Sequence, residues 1–78
     1  MTIETQLINY FKDTLDADVA AGTPLIEQGI IDSMGVMELI TFIQQTFDVE
    51  FDVDDMTVEK LGTVTAISRL ITSKRGEA

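Results

Sequence analysis

The stretch Glu27-Gln28-Gly29-Ile30-Ile31-Asp32-Ser33-Met34-Gly35-Val36-Met37-Glu38-Leu39 decides how the chain is read. A glycine-containing loop reaches an Asp-Ser pair, and an apolar-periodic helix begins directly after it. The spacing predicts a helix from Met34 to about Phe47, with Ser33 as its N-cap. The Ser33 hydroxyl would then stand at the positive end of a helix. Free backbone N–H groups and the helix dipole favour negative charge there, so the position suits a serine that carries a phosphodiester.

Working outward, the inward stripe of this helix is Val36, Leu39, Ile40, Ile43 and Phe47. Its outer side carries Met34, Met37, Glu38, Thr41 and Gln45, with Phe42 on the flank. Upstream, Ile3, Leu7, Ile8, Phe11 and Leu15 recur at helical spacing and predict a first helix over 3–15. Residues 16–32 lack clear periodicity and form a long loop, anchored by Leu25, Ile26, Ile30 and Ile31. Thr23-Pro24 could open one short turn within it, with Thr23 as cap.

Downstream, Asp48 to Asp55 is acidic and partly alternating. A lone strand would have no partner, so an extended loop is expected. Thr57 caps a short turn holding Val58 and Leu61, and Gly62 ends it. Thr63 caps a last helix with Val64, Ile67, Leu70 and Ile71 facing inward, and 73–78 is expected to be a flexible tail. The fold class is all-α: a small bundle of three main helices plus one short helix, with a long first loop, in a single domain over 1–78.

Composition narrows the chemistry. With 78 residues, the chain suits one small domain with a modest core. It has no cysteine and no histidine, so it lacks a thiol of its own, the commonest general base and the commonest transition-metal ligand. Five Lys and Arg against 14 Asp and Glu give a formal net charge of −9. That balance opposes nucleic acid and anionic membranes and favours partners with basic patches. No apolar run approaches the roughly 20 residues of a membrane span, and no signal-peptide pattern opens the chain. The expected location is the cytoplasm and the expected state a monomer.

The acidic run from Asp48 to Asp55 fails as a calcium loop. Counted from Asp52, the sixth position is Thr57 where a glycine is needed, and the twelfth is Thr63 where a glutamate is needed. A solvated acidic face is expected instead. A hydrolase built on Ser33 is also poor, because no histidine is available and Lys60 is far along the chain.

Asp32-Ser33-Met34, then Glu38-Leu39, Phe47-Asp48-Val49-Glu50-Phe51 and the final Leu61 to Ile71 stretch together resemble the acyl carrier protein family. The resemblance covers almost the whole chain. It implies that Ser33 bears 4'-phosphopantetheine, taken from coenzyme A by a separate phosphopantetheinyl transferase, and that Asp32 helps that enzyme bind. The arm's thiol would hold an acyl or aminoacyl cargo as a thioester, and the chain itself would not be an enzyme. Met34, Met37, Glu38 and Thr41 would meet the loading enzyme and the acyl-transferring or condensing enzymes downstream. The competing function is a helical interaction module without a prosthetic group.

The chain departs from the fatty-acid type. Two residues, Ile30 and Ile31, separate the glycine from Asp-Ser, where that type usually has one. Gly35 stands at a usually acidic position, and Gln44, Gln45 and Thr46 at positions usually held by glutamates. The pattern looks closer to D-alanyl, peptidyl and free-standing carriers loaded by adenylate-forming ligases. Gly35 itself has two readings: close approach of a partner or of the arm, or a glycine tolerated at a helix start at a cost of about 0.5–1 kcal/mol relative to alanine.

Overall fold

A computed structural model describes residues 2–76. Helix α1 spans Ile3–Leu15, α2 Ser33–Phe47, α3 Val58–Leu61 and α4 Val64–Lys74, with a 3-10 turn at Val53–Asp55. There is no strand among the described residues.

All four described α-helices begin at threonine or aspartate caps, as side-chain oxygens accept the otherwise unpaired first-turn N–H groups. Thr2 accepts from the Thr5 N–H at 3.1 Å, and Thr63 caps α4 by accepting from Ala66 at 3.1 Å. Thr57 caps α3 through Lys60 N–H at 3.2 Å, as expected. Helices α1 and α2 end without glycine. Asp16 (φ 52°) and Asp48 (φ 57°) adopt the left-handed conformation instead, which a short polar side chain tolerates.

The core forms where the apolar stripes meet. Leu7 and Phe11 of α1, Leu39, Ile40, Ile43 and Phe47 of α2, and Val64, Ile67 and Ile71 of α4 are buried together. Val36 and Leu70 pack against them half-buried, whereas Leu15 is exposed. Tyr10 stacks on Phe42 with ring centroids 4.3 Å apart, which fills the flank between α1 and α2.

The long first loop is held by both apolar anchors and backbone bonds. Val19, Leu25 and Ile31 are buried in the core. The Leu25 N–H donates to the Gly62 carbonyl at 2.7 Å. Thr65 donates both its N–H and its hydroxyl to the Ala21 carbonyl, at 3.0 and 3.1 Å. The turn after Pro24 forms, with the Gln28 N–H donating to the Pro24 carbonyl at 3.0 Å. Thr23 does not cap it: its hydroxyl accepts from the Ala20 N–H behind it at 2.8 Å.

Two further expectations are corrected at the far end. Helix α4 continues through Ser73 and Lys74, so those residues are not tail; Glu77 and Ala78 lie outside the described residues. The acidic run is not uniformly solvated either. Asp55 is only 6 % exposed. It accepts from the Asp52 N–H at 2.9 Å and pairs with Lys74 at 2.5 Å and Lys60 at 3.4 Å. A buried carboxylate needs such partners to offset lost hydration.

Candidate functional site

The start of α2 differs from expectation by one residue. Asp32, not Ser33, is the N-cap: its backbone is extended, and its Oδ1 accepts the Gly35 N–H at 2.8 Å. The Val36 N–H closes the first helical bond onto the Asp32 carbonyl at 2.8 Å. Aspartate and serine are comparable caps, and here the carboxylate takes the role. Ser33 becomes the first helical residue. It is exposed, and its hydroxyl makes no hydrogen bond among the described residues.

This shift frees the hydroxyl that capping would have engaged. The N–H groups of Ser33 and Met34, at the first two helical positions, have no acceptor within the helix. No acidic residue lies in the first turn of α2. A phosphodiester on Ser33 would therefore meet unpaired N–H groups and the positive helix end, with the Asp32 carboxylate beside it already accepting from Gly35. The site fits a phosphate-linked group.

The loop feeding the site is set by Gly29, whose φ of 72° lies in the region glycine enters without strain. Ile31 then drops into the core at 2 % exposure while Asp32 and Ser33 face solvent. Gly35 has a reason that neither sequence reading supplied. A Cβ there would lie 3.3 Å from the Ile31 Cβ and 3.4 Å from Asp32 Oδ1. The glycine allows the loop to press against the first turn.

Met34, Met37, Glu38 and Thr41 share one exposed face next to Ser33, as three- and four-residue spacing requires. Met34 is 75 % and Met37 56 % exposed. The Thr41 hydroxyl donates back to the Met37 carbonyl at 3.1 Å, so this face is chiefly apolar around the methionines. Tyr10 also belongs to this neighbourhood. Burial, and secondarily the charge of Glu38, raise its hydroxyl pKa. Only long-range packing of α1 on α2 places it there, so local sequence spacing gave no signal for it.

Among the described residues, no group of three or more His, Cys, Asp or Glu side chains is placed to hold a metal ion. None of the described helices is long and apolar enough to cross a membrane.

Residues 5–71 match the family model for the phosphopantetheine attachment site, and the chain belongs to that family. It is a carrier protein with covalently attached 4'-phosphopantetheine. Among curated proteins it is 30% identical over 69 residues to the D-alanyl carrier protein of Streptococcus pyogenes serotype M5 (strain Manfredo), an alignment spanning 86% of this chain and 87% of that protein. The D-alanyl carrier proteins of serotype M49 (strain NZ131) and serotype M1 of the same species align equally well. The match over most of the chain supports the carrier reading, and nothing in it supports an interaction module without a prosthetic group.

Proposed function

We propose that Ser33 is the attachment residue and that the chain is a single carrier domain for an aminoacyl or acyl group activated by an adenylate-forming ligase. The observation that carries the reading is the exposed, unbonded Ser33 hydroxyl at the first position of α2, beside two N–H groups without helical acceptors. Attachment forms a bond from the Ser33 oxygen to the pantetheine-side phosphorus of coenzyme A and breaks that phosphorus's pyrophosphate P–O bond, so that adenosine 3',5'-bisphosphate leaves while the hydroxyl proton passes to a base. The chain has no histidine to act as that base, so the transferase supplies it and the carrier contributes no catalysis of its own. Once attached, the group provides a terminal thiol that holds cargo as a thioester.

The chain's own residues then orient and present. Asp32 fixes the helix start through Gly35 and offers the transferase a carboxylate at the attachment point. Met34, Met37, Glu38 and Thr41 form the face met by the loading enzyme and by downstream acyl-transferring or condensing enzymes. The name of the streptococcal relatives makes D-alanine the first cargo to try. Modification from coenzyme A favours a cytoplasmic location.

The test treats wild type and Ser33→Ala with coenzyme A and a broad-specificity phosphopantetheinyl transferase, followed by intact mass. Wild type gains one phosphopantetheine and Ser33→Ala gains none. Addition to Ser33→Ala would overturn the assignment. The holo protein is next offered D-alanine with a D-alanine-activating ligase, and separately malonyl-coenzyme A with a malonyl transferase. Efficient malonyl loading without ligase loading would return the chain to the fatty-acid type.

A further inference from the structure

The connection between α2 and α4 is anchored unusually. Val49 is buried near one end and Leu61 at the other, with Phe51 half-buried. From 52 to 60 every residue is exposed except Asp55. Its apolar side chains point outward: Val53 is 85 % exposed, and Met56 and Val58 are exposed as well. The hydrophobic effect therefore does not hold the middle of this segment down. Asp55 does, through one point of attachment. One carboxylate oxygen takes Lys74 of the last turn of α4 and the Asp52 N–H; the other takes Lys60 of α3. The Lys74 ammonium also lies 5.5 Å from the centre of the Phe51 ring.

The two lysines are not equivalent. Lys60 lies within the connection and its side chain is half-exposed at 3.4 Å, so water competes for it. Lys74 is largely covered and stands at 2.5 Å. It is the contact that crosses to another element. A segment with few buried apolar contacts and one polar fastening belongs to the part of a fold that opens locally.

We propose that residues 52–60 form a releasable strap, fastened to the C-terminal turn of α4 by the Asp55–Lys74 pair and opening as one unit when that pair is broken. Val58 of the strap also lines an open cavity of about 270 Å³, together with Gly62 and Thr63 beyond it and Pro24, Ile26 and Glu27 of the first loop. Opening the strap changes that lining while α1 and α2 stay in place.

Amide hydrogen exchange of the holo protein tests this. The reporters are the bonded N–H groups of Asp55, Met56, Thr57, Lys60 and Leu61. In Asp55→Asn and Lys74→Met these should exchange at least roughly tenfold faster, with α1 and α2 unchanged. Lys60→Met should have the smaller effect. The proposal fails if the strap amides do not respond, if all helices accelerate in proportion, or if Lys60→Met equals Lys74→Met. Wild type in sub-denaturing urea needs no variant: the strap amides should open together before those of α1 and α2, and simultaneous opening of the whole chain would also overturn it.

Discussion

Ile31 and Gly35 are packed so closely that a side chain on Gly35 would crowd the helix start. A Cβ on Gly35 would stand 3.3 Å from the Ile31 Cβ. Neither neighbour yields easily, because Ile31 is a core residue and Asp32 Oδ1, at 3.4 Å from the same point, is held by the Gly35 N–H. Alanine at this position gains up to about 1 kcal/mol of helix propensity and loses a similar amount to crowding, so Gly35→Ala should be nearly neutral. Gly35→Val adds bulk without that gain and should destabilise by about 1–3 kcal/mol. Urea unfolding of the three proteins checks the order. A stabilised valine variant would show that the contact is slack.

The cap and the attachment residue are adjacent but should separate cleanly by mutation. Asp32→Ala leaves the Gly35 N–H unpaired and should cost about 1 kcal/mol. Ser33→Ala removes an exposed hydroxyl with no partner and should stay within about 0.5 kcal/mol of wild type. Yet only the serine variant should be blocked from receiving the arm. Thermal midpoints and intact mass measured on the same samples decide the matter. A large stability loss in Ser33→Ala would return the capping role to serine.

That one-residue difference shows where sequence reading reaches its limit. The stripes of α1, α2 and α4 were legible because 3.6-residue periodicity is local and burial follows it. The exposed face of Met34, Met37, Glu38 and Thr41 was legible for the same reason. Which of Asp32 and Ser33 caps was not, because both side chains satisfy an N-terminal N–H and geometry alone chooses. Asp16 and Asp48 left no glycine to mark the helix ends. Asp55 read as one more solvated carboxylate because its partner, Lys74, lies in a different helix. The crowding at Gly35 depends on a loop whose path no periodicity describes.

Asp55 gives a pH signature. The Asp52 N–H bond first, then the Lys74 bond, hold its pKa down, to about 2 from 3.8. The folded value lies below the unfolded one, so the stabilisation is fully present above about pH 4 and is lost as pH falls toward 2. Asp55→Asn should be less stable than wild type by about 1–3 kcal/mol at neutral pH, and the gap should close near pH 2. The comparison of the two proteins isolates Asp55, the one group that differs between them. Denaturant unfolding at stepped pH measures it; a gap independent of pH from 7 to 2 would remove charge from the explanation.

Met37 lies one helical turn beyond Ser33, more than half exposed, with Met34 beside it. Two adaptable thioether side chains next to an attachment point suit a surface that meets more than one enzyme. Most contact residues of an interface cost less than about 1 kcal/mol when truncated, and an anchoring one, as Met37 is expected to be, costs about 1 kcal/mol. Met37→Ala should therefore lower the loading rate of holo carrier by roughly threefold to tenfold at sub-saturating concentration. Met37→Asp should lower it further, because it buries a charge in the docked complex. Both variants should approach the wild-type rate at saturating carrier, since neither side chain touches the reacting thiol. Thr14→Ala, on an exposed position of α1, serves as the control and should leave loading unchanged. Thioester formation followed by mass at both carrier concentrations gives the split between KM and kcat. Equal rates for wild type and Met37→Asp at low carrier would exclude this face from the loading contact, and a fall only at saturation would place Met37 in the transfer step instead.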